Sequence, residues 1–257
     1  CIFRNVGSTA VGVYGESLPE DDARHNEEIS EIHIVNNLIE SYGRNTYENV
    51  GIDYMFVKDS EITGNTIRDG YYSGISCGRA WGHYYQATKN ITIENNLIYD
   101  IGQGWLSDLG GIYTLGDQPG TVIRGNVVYN VVCSPGNGEG FNGYGGNALY
   151  CDAGSSYMLI ENNLFYDCSA NGVNIGNMNC QQTVRNNIAA FCNLAAFDPG
   201  SCDIDGSVSS VCEHNIFVSD DAPVSLDLSP SAPFTASGNL LWDVKNGSRV
   251  FGSNGYG

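Results

Sequence analysis

Ile93-Glu94-Asn95-Asn96-Leu97-Ile98 decides the fold, because the chain keeps returning to it. The phrase is an apolar residue, any residue, Asn or another residue, Asn, then two mostly apolar residues. It recurs as Ile34-Val35-Asn36-Asn37-Leu38-Ile39, Ile62-Thr63-Gly64-Asn65-Thr66-Ile67 and Ile123-Arg124-Gly125-Asn126-Val127-Val128. Further copies are Ile160-Glu161-Asn162-Asn163-Leu164-Phe165, Val184-Arg185-Asn186-Asn187-Ile188-Ala189, Cys212-Glu213-His214-Asn215-Ile216-Phe217 and Ala236-Ser237-Gly238-Asn239-Leu240-Leu241. Counted from Asn37, the steps are 28, 31, 30, 37, 24, 28 and 24 residues. Repeats of this length mean stacked units. The units are too rich in β-branched residues, Gly and Asn for paired helices, and no capped 3.6-residue pattern occurs. Leucine-rich and propeller signatures are also missing. The reading is an all-β, single-stranded right-handed parallel β-helix of about eight coils.

Coils stacked at the ordinary interstrand spacing, about 4.8 Å, superpose equivalent residues. Ile34, Ile62, Ile93, Ile123, Ile160, Val184, Cys212 and Ala236 should form one inward ladder. Asn37, Asn65, Asn96, Asn126, Asn163, Asn187, Asn215 and Asn239 should form an amide ladder. Asn suits a tight corner because it tolerates left-handed backbone and bonds to the next coil. A second strand precedes each Asn phrase: Gly12-Val13-Tyr14, Gly51-Ile52-Asp53, Gly74-Ile75-Ser76, Gly111-Ile112-Tyr113, Ala148-Leu149-Tyr150, Gly172-Val173-Asn174 and Ala196-Phe197-Asp198. Strand alternation turns the third member outward. Tyr14, Asp53, Ser76, Tyr113, Tyr150, Asn174 and Asp198 should therefore form an outward strip. Glu16, Met55, Gly78, Leu115, Asp152 and Gly176 lie two residues further on. The longest step inserts Ser134-Pro135-Gly136-Asn137-Gly138-Glu139-Gly140 beside this face, and long solenoid connections cluster on the binding side. Residues 220–235 are expected to loop out. The chain opens in mid-coil and ends uncapped, so residues 1–257 are expected to be one β-helix domain, a fragment truncated at both ends.

Composition narrows the partners. Net charge is −18, with pI ≈ 4.3 and 16% charged residues. Such a surface repels phosphate backbones, which excludes nucleic acid, and repels intact polyanions, whereas neutral glycans carry no such penalty. No apolar run is long enough to span a membrane. The nine cysteines lack metal-ligand spacing, and only four His occur: His25, His33, His83 and His214. Buried thiols with one or two disulfides are expected. Cys168 and Cys192 each follow their repeat Asn by five residues and should stack at a separation compatible with a disulfide. No cofactor is expected. Ca²⁺ is compatible with the chain but not indicated.

The strip offers Tyr faces for sugar rings and Asp or Asn for hydroxyls, a profile that suits a glycan groove. Two adjacent coils each supply one carboxylate: Asp108 at the entrance of the strip and Asp152 on it. Paired carboxylates are the minimum for glycoside hydrolysis. These two are the candidate catalytic residues, with Asp53 and Asp117 as competitors. Substrate-binding candidates are Tyr113, Tyr150, Asp53, Ser76, Arg79, Trp81, His83 and Asn174, the trio Arg79, Trp81 and His83 forming a wall.

Three motifs carry a family resemblance: Ser73-Gly74-Ile75-Ser76 with Trp81-Gly82, the run from Asp100 to Arg124, and the run from Tyr144 to Ser156. Over roughly residues 40–195 the chain resembles bacterial right-handed β-helix proteins related to glycoside hydrolase family 141. The resemblance implies a paired-aspartate site, mapped onto Asp108 and Asp152, and action on fucosylated or xylan-type plant glycans. Relatives often have Glu at the place of Ala153 and an aromatic at the place of Arg79. Two other functions compete. A lyase needs a cationic base, yet Lys58, Lys89 and Lys245 all fall off the strip, leaving Arg79, Arg124 and Arg185. A non-catalytic glycan-binding solenoid would tolerate loss of Asp152. The expected setting is secreted, cell-surface or periplasmic, as a monomer.

Overall fold

The computed structural model describes residues 1–16, 18–24, 28–136, 143–176, 178–200, 210–220, 223–225, 234–245 and 251–252. Most of the expected 134–140 insertion, and most of the 220–235 loop, therefore lie outside the described residues.

Three parallel sheets, each of nine strands among the described residues, wind into a right-handed parallel β-helix. No helix long and apolar enough to cross a membrane occurs among them. One sheet holds the strands just before each repeat Asn, such as Lys89–Glu94 and Val122–Arg124. A second holds the strands just after it, such as Leu97–Ile101 and Val127–Val131. The third, here the site sheet, runs through Val11–Tyr14, Ile52–Met55, Ile75–Cys77, Gly110–Asp117, Asn147–Ser156, Asn171–Asn174 and Ala195–Asp198.

The inward ladder forms in register, with Ile62, Ile93, Ile123, Ile160 and Val184 all fully buried. Only Ala236, at the ladder's end, is exposed. The amide ladder is continuous. Each repeat Asn donates its backbone N–H and its side-chain amide to the Oδ1 of the next, at 2.9–3.0 Å from Asn37 through Asn239. The left-handed backbone sits one residue earlier than expected. Positive φ belongs to Asn36, Gly64, Asn95, Gly125, Asn162, Asn186, His214 and Gly238, and not to the ladder Asn. Labour is divided: the first residue turns the chain, and the second ties the coils.

The site sheet differs in one register. Val11, not Val13, pairs with Ile52, so Tyr14 lies beside Met55 and not beside Asp53. The other six positions line up as expected, from Asp53 through Ser76, Tyr113, Tyr150 and Asn174 to Asp198. Cys168 and Cys192 are neighbours, as expected: burial first, and then Cys192 beside it, raises the Cys168 thiol, yet both are free thiols. Cys180 is the one disulfide-bonded cysteine among the described residues.

Candidate active site

Strand alternation turns the strip away from the core, but three features fold back over it. The first is the 79–86 segment, where Gly82 N–H donates to the Ala153 carbonyl at 3.1 Å. Leu115 pairs with Asp152 and Asp117 with Ser156, so Ala153-Gly154-Ser155 bulge to meet this segment. Gly154 has φ +79°, and a Cβ there would lie 2.7 Å from the Gly82 backbone. Glycine is thus required on both conformational and steric grounds. The second and third features are the 102–109 turn and the stretch entering the 147–156 strand, joined where Asp108 N–H donates to the Tyr144 carbonyl at 2.8 Å. The expected open face is consequently the floor of a cleft: Asp53 is 6% exposed and Asp152 is 4% exposed.

The cleft, of about 300 Å³, is lined by Asp53, Ser76, Arg79, Trp81, Asp108 and Tyr113, with Thr9, Glu48, Asn49, Tyr72 and Leu115 among its further walls. Asp152 lies next to it, receiving a 2.5 Å hydrogen bond from the Tyr113 hydroxyl. Tyr150 packs edge-on against Tyr113 at 5.1 Å between ring centroids. Asp108 adopts left-handed backbone at φ 61° and is pinned by the Tyr72 hydroxyl, which donates to its carbonyl at 2.6 Å.

Burial is the leading electrostatic influence on Asp53 and Asp108. Burial, then the charge of Asp152, pushes Asp108 up to about 6, against weaker hydrogen bonds from Tyr144 and Tyr150. Burial also pushes Asp53 up to about 6, opposed by the Arg79 guanidinium and by Tyr14 and Ser76. Asp53 Oδ1 is buried with no hydrogen-bond partner. Burial and the nearby Asp152 and Asp108 hold the Tyr113 phenol far above its usual range, so it stays a donor.

The structure thus gathers Asp53, Ser76, Arg79, Trp81, Asp108, Tyr113, Tyr150 and Asp152. It does not bring in His83, whose ring nitrogens face Asp117 Oδ1 at 2.8 Å and the Met178 carbonyl at 2.6 Å. His83 and Asp117 instead line a separate pocket of about 520 Å³ with Tyr84, Tyr85 and Tyr157. Asn174 is spent locally, accepting from Gly176 N–H at 2.8 Å. Arg124 and Arg185 pair with Glu94 and Glu161 on the sheet before the Asn turn, leaving Arg79 as the cation of the cleft. Sequence reasoning missed Tyr72 and Tyr144. Tyr72 stands two residues before Gly74 and Tyr144 four residues before Ala148, ahead of the Gly- or Ala-led phrases from which the strip was read. Among the described residues no group of three or more His, Cys, Asp or Glu is arranged to hold a metal.

No family model matches the sequence, and no curated protein matches it. Solved structures do. A protein described as a glycoside hydrolase superposes with TM-score 0.55 at 26% identity, covering 73% of this chain and 31% of its own. A periplasmic alginate epimerase gives TM-score 0.60 at 13% identity, covering 93% of this chain and 51% of its own. An alginate lyase from Paenibacillus sp. gives TM-score 0.47 at 16% identity, covering 82% of each chain. The chain therefore spans about a third of the hydrolase's length and about half of the epimerase's. In class it is a right-handed parallel β-helix of the kind found in polysaccharide-processing enzymes. More particularly, it resembles β-helix proteins related to glycoside hydrolase family 141, the likeness that its motifs carry.

Proposed function

We propose that the chain is the catalytic β-helix of a glycoside hydrolase acting on a neutral plant-type glycan, fucosylated or xylan-like. The observation that carries this reading is the Asp108–Asp152 pair. Asp108 is pushed up to about 6 by burial and then by the charge of Asp152, the direction a proton donor to a glycosidic oxygen needs. In this reading Asp108 delivers its proton to the departing glycosidic oxygen. Asp152, oriented by the Tyr113 hydroxyl, acts on the opposite side as nucleophile or as base for water. Asp53 and Ser76 on the cleft lining offer polar contacts to the sugar, and Trp81, 62% exposed, stacks on a ring. The net charge of −18 favours a neutral chain over a polyuronate. The expected setting is extracellular or periplasmic.

Reducing-end release from xylan and fucosylated xyloglucan tests this. Asp152→Asn and Asp108→Asn should each lower turnover by at least about 100-fold. A product with the near-ultraviolet absorbance of an unsaturated sugar would replace hydrolysis with a lyase. One observation favours a binding-only solenoid: Asp152 is 4% exposed. That alternative predicts no turnover by the unaltered chain and binding unchanged in Asp152→Asn.

A further inference from the structure

We propose that Tyr47, Tyr71 and Trp105 form a stacking platform on which a neutral glycan continues as it leaves the cleft. The proposal rests on the polysaccharide reading of that cleft and places a separate binding site outside it. The three rings meet at centroid distances of 4.8, 5.5 and 5.7 Å, tilted by 56–67°. Tilted contacts touch edge to face and leave ring faces open. Trp105 is 57% exposed and Tyr47 is 41% exposed. The Arg44 guanidinium covers one face of Tyr71 at 4.7 Å, so Trp105 and Tyr47 offer the free surface. The Tyr99–Tyr129–Tyr166 column behaves differently. Its rings lie nearly parallel, at 8° and 10°, and consume one another's faces as a structural stack.

Continuity with the cleft identifies the occupant. Each of three successive turns delivers one aromatic to the platform and a neighbouring residue to the cleft wall. Tyr47 precedes Glu48 and Asn49, Tyr71 precedes Tyr72, and Trp105 stands three residues before Asp108. A chain threaded through the cleft in that direction meets the platform next. Pyranose rings present flat C–H faces to aromatic faces, while the acidic surface disfavours an anionic chain.

Affinity electrophoresis in native gels containing xylan or xyloglucan tests the platform. The unaltered chain should be retarded in at least one gel. Trp105→Ala should raise the apparent dissociation constant about tenfold, and Trp105→Phe should stay within about threefold of the unaltered chain. Retardation in neither gel overturns the proposal, as does equal retardation of Trp105→Ala with an unchanged circular dichroism spectrum. A changed oligomeric state of Trp105→Ala on size exclusion also overturns it, making the rings a contact between copies. Unchanged retardation of Trp105→Ala beside lost turnover in Asp152→Asn removes the platform and leaves the hydrolase. Weakened retardation of Trp105→Ala beside full turnover in Asp152→Asn does the reverse.

Discussion

At the scale of single residues, the ladder Asn shows how one side chain fixes a coil. Asn96 is 1% exposed and has both roles filled: its Oδ1 accepts from Asn65, and its amide donates to Asn126 and to the Ile62 carbonyl. Replacing it with Ala strands partners on both neighbouring coils, and an orphaned buried polar group costs about 1–3 kcal/mol. Asn96→Ala should lose about 3 kcal/mol in urea unfolding, whereas Glu94→Ala on the same phrase should lose under about 1 kcal/mol. This residue type was legible in the sequence because a ladder needs the same amide at every rung. The left-handed position was not. Asn precedes Asn in half the phrases, and either could have taken the turn; Gly64, Gly125 and Gly238 mark the earlier one in three of the others, and His214 takes it in the fourth.

At the scale of elements, the rungs were legible and the cover over them was not. Periodicity reports what repeats, and it placed six positions of the strip in line. It misaligned Tyr14 because Gly12-Val13 copies the Gly-apolar phrase, while Val11 is the residue that pairs with Ile52. The 79–86 segment reaches Ala153 and Gly154 across 71 residues of chain, a contact with no periodic signature. Asp53 and Asp152 therefore read as outward and are buried. Cys168 and Cys192 were legible as neighbours but not as thiols, since stacking distance alone does not form the bond. The Gly154 contact makes a test of this cover. Gly154→Ala should cost roughly 1–3 kcal/mol through its φ and its clash with Gly82. It should also displace the segment bearing Trp81, read as changed tryptophan fluorescence at temperatures well below unfolding.

At the scale of the whole molecule, the site is built at the expense of stability near neutral pH. Asp53 and Asp108 have folded pKa values raised to about 6, so the native chain binds their protons more tightly than the unfolded chain does. Their contribution is fully present below the unfolded carboxyl range, near 4, and is lost as pH rises through about 6. Glu40 runs the other way: Arg4 and then Arg68 hold it below its usual value, so its contribution disappears as pH falls through that lowered pKa. Thermal stability should therefore peak on the acidic side, near pH 5. Asp53→Asn should raise Tm at pH 7.5 and shrink the difference between pH 5 and pH 7.5; a larger difference would contradict this. The account depends most on Asp108 sensing the charge of Asp152 beside the cleft, and carbon NMR titration of labelled aspartate carboxyls measures that directly. The account predicts that Asp108 titrates near 6 and that Asp152→Asn moves it toward the ordinary value near 4. An Asp108 that titrates at its ordinary value, or ignores the loss of Asp152, would contradict it.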